Sequence, residues 1–254
     1  MSFVRADYEA MRGAIRAPLR PGRSWPDLAF GDTHMIAQNG KTAVVVAGSA
    51  DIAAALSQRL AAEGFAVVLA YADEQDDADA CVRTIRAVGG RAAAIEADLR
   101  RPGAMRVLLD AAEAIFAGTD VLVSDADIVH PSRLADTSVD NDVTIDLSGT
   151  LSSLREAVRR LRIGGRIIGI SGTSGVRRSM RDAHVAMETR LAALARVLAV
   201  EMRARCLTLN AVTLCSEPAR FDALDLPEDL GDAIAFLAGP DGAVVSGRVL
   251  PARP

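Results

Sequence analysis

Aromatic residues and cysteines are scarce in this chain. Phe, Trp and Tyr together make up 4% of its 254 residues, and there is a single tryptophan. The three cysteines, Cys81, Cys206 and Cys215, form no CxxC pair, which argues against a disulfide framework and indicates free thiols in a reducing compartment. Because Cys206 stands in an apolar stretch, we expect its thiol to be buried.

Long hydrophobic runs and an excess of positive charge are also missing. No apolar run approaches the roughly 18 residues of a membrane span, and the N-terminus lacks the hydrophobic centre of a signal peptide. The formal net charge is −4, which gives no general affinity for nucleic acid or anionic membranes. We therefore expect a cytoplasmic protein that binds neither. Residues 1–40 are locally basic and are interpreted as an N-terminal arm.

From residue 42 onward, short runs rich in Val, Ile and Ala alternate with longer amphipathic stretches. This alternation is typical of a parallel sheet built from βαβ units. Strands are predicted at residues 42–47, 65–71, 91–96, 119–124, 164–171, 206–212 and 244–249. Helices are predicted between them, for example over 52–63, where Gly64 ends the helix, and over 183–202. The pattern predicts one α/β domain over 41–254, a doubly wound sheet whose ligand crevice lies at the carboxyl ends of the strands.

Several segments resemble the short-chain dehydrogenase/reductase family in the same order and spacing. They are TAVVVAGSADIAAALSQRLAAEG at 42–64, RAAAIEADL at 91–99, TDVLVSDADI at 119–128, GGRIIGIS at 164–171 and AFLAGPDGAVVSGRVL at 235–250. The resemblance covers roughly residues 41–250. It implies a Rossmann-type fold with a seven-stranded parallel sheet and helices on both faces, a nicotinamide cofactor, and an Asn, Ser, Tyr and Lys constellation. In that family the tyrosine acts as acid or base and the lysine lowers its pKa.

The cofactor motifs depart from the family pattern. The glycine-rich turn TGxxxGIG is here AGSADIA at 47–53, one residue shorter, with Gly48 kept and Asp51 in the place of the second glycine. We expect Asp51 to be the N-cap of the next helix and to fill the anion site itself, which argues against a bound pyrophosphate. Asp98 matches the family position that contacts adenine. The run YADEQDD at 71–77 offers no cation to a 2′-phosphate, so the sequence predicts no cofactor, or NAD(H) if any, and disfavours NADP(H).

The catalytic positions also differ in identity. The family's asparagine, tyrosine and lysine fall on Asp146, His184 and Glu188, while its serine falls on Ser171, or on Thr173 or Ser174 if the loop carries a gap. A carboxylate at the lysine position would raise a neighbour's pKa instead of lowering it. Together with Asp125 and Asp127, these side chains could perform general acid/base chemistry, but their spacing is not a metal signature and no metal site is expected.

The main hypothesis from the sequence is a family member that has lost NAD(P)-dependent oxidoreductase activity. It would act as a non-catalytic partner subunit, a pseudoenzyme, or as a non-redox enzyme of the dehydratase, cyclase or isomerase type with a small-molecule ligand. The alternative is an NAD(H)-dependent short-chain oxidoreductase with an atypical active site. Whether the chain is an enzyme at all therefore stays open at this point.

Assembly is predicted from two helices that correspond to those packing between subunits in the family. They span residues 144–162 and 183–203, and their apolar residues are read as exposed stripes: Leu147, Leu151, Leu154, Val158, Leu191, Leu194 and Leu198. The sequence therefore predicts a homo-oligomer, dimer or tetramer, or a hetero-oligomer with an active member of the family.

Overall fold

The structure, a computed structural model, describes residues 40–99, 101–125, 148–171, 197–198, 200–214 and 228–252. Its strands are β1 (Thr42–Val46), β2 (Ala66–Tyr71), β3 (Arg91–Glu96), β4 (Val121–Asp125), β5 (Arg166–Ser171), β6 (Thr208–Leu214) and β7 (Val249–Ala252). Its helices are α1 (Ala50–Ala62), α2 (Gln75–Ala87), α3 (Ala104–Phe116), α4 (Ser148–Arg160) and α5 (Glu228–Ala238), with a 3-10 turn at Asp241–Val244. Residues 200–204 are also helical.

The strands form one parallel sheet in the order β3-β2-β1-β4-β5-β6-β7. β1 pairs with β2 on one side and with β4 on the other, both in parallel register. The chain therefore first builds outward from β1 to β3 and then returns to build outward from β4 to β7. This reversal confirms the predicted doubly wound, seven-stranded sheet within the described part of the chain.

The sheet is covered on both faces because its central strands are apolar on both sides. Every residue of β1 and of β2 is buried, as expected for parallel strands between two helical layers. α1 packs against α2 and α5, whereas α3 packs against α4, and both α1 and α3 also contact β1 and β2. Since right-handed crossovers place helices on opposite faces when the winding direction reverses, α3 and α4 cover the face opposite α1, α2 and α5.

Most of the predicted strand and helix limits agree with the structure to within two residues. Gly64 ends α1 with a φ of +89°, a left-handed conformation that glycine adopts without strain. The last strand is the exception: β7 begins at Val249 and not at residue 244, because residues 241–244 form the 3-10 turn. Cys206 is exposed and lies in the turn before β6, with a φ of +54°, so the prediction of a buried thiol there is wrong.

Three of the seven apolar residues predicted to be exposed belong to the core, and they are the ones whose burial the structure describes. Leu154, Val158 and Leu198 are buried in the main hydrophobic cluster, so the sequence pattern placed them on the wrong side of their helices. The exposed apolar residues on the segment before β6 are instead Val197 and Val200, at 55% and 74% exposure. Leu147, Leu191 and Leu194 lie outside the described residues.

The amino edge of the sheet is closed by an arginine clamp, which we define as Arg162 with Asp120. The Arg162 guanidinium donates to the Gly40 carbonyl and to Asp120 Oδ2, each at 2.8 Å. The same Asp120 oxygen accepts the backbone N–H of Thr42 at 2.8 Å. Lys41 precedes β1 at this edge. The clamp ties the start of β1 to the residues that follow α4. Because these groups at the amino edge bind one another, we look for a ligand site at the opposite, carboxyl edge.

No helix within the described ranges combines the length and the apolar composition needed to cross a membrane. The basic arm predicted at residues 1–40 falls almost entirely outside those ranges, as the structure begins at Gly40. The division into an arm and a domain over 41–254 therefore stays a prediction.

Candidate functional site

The strand order reverses between β1 and β4, and a doubly wound sheet has its ligand crevice at the carboxyl edge of this reversal. Val46 at the end of β1 lies opposite Ser124 of β4. The chain leaves β1 through the exposed residue Gly48 and enters α1 at Ala50. In open α/β sheets ligands bind at this reversal, outside the carboxyl ends of the strands. The geometry therefore places Gly48 at this edge, and its role in cofactor binding stays a prediction.

The beginning of α1 differs from the prediction. Its N-cap is Ser49 and not Asp51, and the Ser49 side chain makes no capping hydrogen bond. The carbonyl of Ser49 accepts the N–H of Ala53 at 2.9 Å, which starts the helix. Asp51 is the second helical residue and is exposed. The prediction that Asp51 is the N-cap is therefore wrong, because the helix starts two residues earlier and Asp51 lies within its first turn.

This helix start fits a dinucleotide pyrophosphate. The first-turn N–H groups of a helix attract anions when no side chain caps them, and the N-cap side chain of α1 leaves them uncapped. Gly48 adds no side chain to the turn, so backbone can approach a phosphate closely. The exposed Asp51 carboxylate opposes an anion, but only as a solvated charge whose effect water screens.

The ends of β2 and β3 form a second part of the crevice. Tyr71 pairs with Glu96, and the N–H of Ala97 donates to the Tyr71 carbonyl at 2.8 Å. Just beyond, the Asp98 carboxylate lies 3.4 Å from Nε of Arg101, with the Asp98 side chain 20% and the Arg101 side chain 77% exposed. Asp98 is thus at the carboxyl edge, as predicted. Arg101 was missed by the sequence reasoning, although its position three residues after Asp98 could have indicated the pair.

The predicted catalytic residues are only partly within the described chain. Ser171 is the last residue of β5 and pairs with Thr213 of β6. Asp125 ends β4 and pairs with Ile170, next to Ser171 in the chain, so the backbone brings Asp125 and Ser171 to the same edge. Asp146, His184 and Glu188 lie outside the described residues, as do Thr173, Ser174 and Asp127. The role of the full set stays a prediction.

No group of acidic, histidine or cysteine side chains in the described ranges could hold a metal ion. At the same edge, the groups that could bind a ligand anion are the backbone N–H groups at the start of α1 and the Arg101 guanidinium. Such a set suits an organic anion such as a nucleotide phosphate more than a metal ion, which needs several converging oxygen, nitrogen or sulfur ligands.

Comparison with known proteins shows similarity to oxidoreductases. The sequence pattern of the family described as short chain dehydrogenase matches residues 41–216. The chain is 32% identical to a versicolorin reductase of Emericella nidulans, covering 84% of this chain and 94% of that protein. It is 30% identical to an uncharacterized oxidoreductase of Methylorubrum extorquens, covering 83% and 95%. A Burkholderia cenocepacia short chain dehydrogenase, solved in complex with NADP, is 30% identical with a TM-score of 0.64, covering 84% and 96%.

These relatives overturn two predictions from the sequence. The main hypothesis of lost oxidoreductase activity, with a pseudoenzyme or non-redox role, is wrong: similar proteins over almost their whole length are named as reductases and oxidoreductases. The expectation that no cofactor binds and that NADP(H) is disfavoured is also wrong, since a relative at 30% identity was solved with NADP. Both errors came from treating individual motif residues as decisive while the surrounding fold was retained.

The doubly wound sheet, the uncapped start of α1 beside Gly48 and the match over residues 41–216 lead to one assignment. The chain belongs to the short-chain dehydrogenase/reductase family.

Proposed function

We propose that this chain is an NADP(H)-dependent oxidoreductase that interconverts a carbonyl group and an alcohol on a small molecule, with an atypical active site. The observation that supports the proposal most directly is the crevice between β1 and β4, where the uncapped start of α1 meets Gly48. The named activities of the relatives and the NADP complex of one of them support the reaction class and the cofactor.

The residues divide into a phosphate end and an adenosine end. Gly48 and the first turn of α1 would hold the pyrophosphate through backbone N–H groups, and the segment around Asp98 would receive the adenosine end. When bound, the nicotinamide cofactor supplies or accepts the hydride. The chain itself must orient the carbonyl carbon and exchange one proton with the substrate oxygen.

The proton cannot come from a relocated Tyr and Lys pair. The sequence contains one lysine, Lys41, and two tyrosines, Tyr8 and Tyr71. Lys41 precedes β1 at the amino edge, whereas Tyr71 ends β2 at the carboxyl edge. These two residues therefore stand at opposite edges of the sheet, and Tyr8 lies outside the described residues.

We assign the proton transfer to His184, which occupies the tyrosine position of the family pattern. Glu188 follows four residues later and, as a nearby anion, would favour the charged imidazole that donates a proton during reduction. Ser171, at the end of β5, would hydrogen-bond the same substrate oxygen. Asp146 completes the set at the family's asparagine position. In this assignment His184 would supply the proton, and Glu188 would raise its pKa, whereas the family's lysine lowers that of the tyrosine.

The test combines cofactor binding with turnover. NADP⁺ at about 100 times its dissociation constant should stabilise the protein by about 2.7 kcal/mol, a melting shift of about 5–10 °C for a domain of this size. His184→Gln should lower NADPH-dependent ketone reduction by a factor of about 10² or more while leaving the melting shift unchanged. His130→Gln is the matched control and should keep both. The absence of a melting shift with NADP⁺ and NAD⁺ at millimolar concentration would refute the proposal.

The protein is further proposed to act as a homo-oligomer, dimer or tetramer. Val197 and Val200 are exposed apolar residues on the helical segment before β6, and exposed apolar patches on helices commonly mark interfaces. Val200→Glu should shift the mass measured by light scattering towards the monomer, whereas Val88→Glu, at an 84% exposed residue after α2, should not. A wild-type monomer at micromolar concentration would contradict this proposal. Association with an active member of the family stays a prediction.

A further inference from the structure

The segments that follow β2 and β3 leave the sheet side by side. Tyr71 and Glu96 are paired at the ends of these strands, and the N–H of Ala97 donates to the Tyr71 carbonyl at 2.8 Å. In a doubly wound sheet the end of the second strand lies beside the adenosine ribose, where an acidic residue or an arginine distinguishes NAD from NADP. Ala97 is therefore a neighbour of the position that decides cofactor choice, and Asp98 and Arg101 follow it in the turn after β3.

The segment after β2 cannot supply the positive charge for a 2′-phosphate. It contains Asp73 and Glu74, both exposed, and α2 then begins with Asp76 and Asp77 in its first turn. A phosphate group carries close to two negative charges at neutral pH, so this acidic run would repel it. The cation for NADP(H) must then come from another element.

Arg101 lies on the neighbouring turn and is available for this role. Its backbone is fixed, because its N–H donates to the Asp98 carbonyl at 2.9 Å and its carbonyl accepts the N–H of Ala104 at 3.2 Å. Its guanidinium lies beside the Asp98 carboxylate, with Nε 3.4 Å from Oδ2, and the side chain is 77% exposed. A guanidinium has five N–H donors in a planar fork that suits phosphate oxygens, and the exposure of this side chain leaves it accessible to a ligand.

We propose that Arg101 determines the preference of this chain for NADP(H) by binding the 2′-phosphate from the turn between β3 and α3. The proposal rests on the proposed function and names the residue that selects its cofactor. Asp98 holds the guanidinium in place when the cofactor is absent, and it balances the added charge of the arginine. The pairing of the 2′-phosphate with Arg101 then offsets the repulsion from the acidic run after β2.

The probes are adenosine 2′,5′-bisphosphate and adenosine 5′-monophosphate, titrated by calorimetry into the full-length protein. They differ by the 2′-phosphate alone. Arg101→Gln should weaken the binding of the bisphosphate about tenfold or more and leave that of the monophosphate unchanged, and Arg101→Lys should restore part of the loss. Arg106→Gln is the matched control: this arginine is 64% exposed on the adjoining first turn of α3, near Asp110, and its loss should change neither affinity.

The outcomes separate this inference from the proposed function. If the wild-type protein binds NADP⁺ but Arg101→Gln leaves the affinity for the bisphosphate unchanged, or weakens both probes equally, the role of Arg101 is refuted and the proposed function stands. If the wild type binds NAD⁺ more tightly than NADP⁺, the role of Arg101 and the NADP(H) preference are both refuted, and only the reaction class of the proposed function stands. If the wild type binds neither dinucleotide, both proposals are refuted.

Discussion

Asp51→Asn is expected to tighten dinucleotide binding and to weaken the fold slightly. Asp51 is exposed in the first turn of α1, next to the turn that would hold the pyrophosphate. A charge about 4 Å from a phosphate costs ~1 kcal/mol in water and ~4 kcal/mol at an effective dielectric constant of 20. Because Asp51 is exposed, the value for water applies, which corresponds to about a fivefold lower dissociation constant for the variant.

The same substitution removes a negative charge from a helix N-terminus, which lowers the free energy of unfolding by about 0.3–1 kcal/mol. The opposite signs of the two effects separate electrostatic repulsion from a general change in stability. Glu63→Gln is the control, since it removes a charge at the other end of α1, about 18 Å away at 1.5 Å per residue, beyond the ~8 Å screening length at physiological salt.

The assay is calorimetric titration of NADP⁺ into both variants at low and at physiological salt, with urea unfolding measured in parallel. The gain in affinity for Asp51→Asn should shrink as salt rises, and Glu63→Gln should show no gain. Unchanged or weaker binding by Asp51→Asn at low salt would show that the Asp51 carboxylate does not face the bound phosphates, and the reasoning on the start of α1 would fail.

Three further predictions concern the described core and its thiols. Arg162→Met removes the clamp at the amino edge and should lower the free energy of unfolding by about 2–3 kcal/mol in urea titrations, because hydrogen bonds to charged groups are lost; a change below about 0.5 kcal/mol would contradict it. Gly242→Ala should destabilise the protein by about 2 kcal/mol or more, since the added Cβ would lie 2.3 Å from a backbone oxygen. Gly231→Ala in α5, whose Cβ would lie 3.4 Å from the nearest side-chain atom, should stabilise it by about 0.5–1 kcal/mol. Equal effects of the two substitutions would refute this prediction. Burial raises the pKa of the Cys81 thiol, so iodoacetamide should label the exposed Cys206 before Cys81 at neutral pH. Peptide mass spectrometry that shows Cys81 labelled before Cys206 would contradict this prediction.

The fold was predictable because its signals are local and repeated. The buried strands β1 and β2 are continuous runs of apolar residues, and each is followed by an amphipathic helix, which permits few arrangements other than a doubly wound sheet. Where one local signal stood alone, the prediction failed. The apolar run around Cys206 looked like a strand, but the chain turns there with a positive φ before β6 begins.

Helix faces were less predictable than helix positions. Leu154 and Val158 have the spacing of an apolar stripe on α4, and Leu198 was assigned to a stripe on the helix before β6. The sequence does not say whether such a stripe faces the core or a partner. The structure buries all three. Which face of a helix packs against the sheet is decided only when the helix docks in the fold.

For the site, the sequence by itself determined which residues stand at the carboxyl edge: Gly48, Asp98 and Ser171 follow or end their strands as expected. It did not determine how charges meet there. Asp51 was predicted to be the N-cap of α1, and binding of a 2′-phosphate was predicted to be unfavourable from the residues after β2 alone. Only the tertiary structure sets α1 to begin at Ala50 and pairs β3 with β2, so that the turn carrying Arg101 follows a strand that lies beside β2. Electrostatic interactions act through space, so neighbours from different elements decide them, and those neighbours are fixed by strand pairing and not by the order of residues.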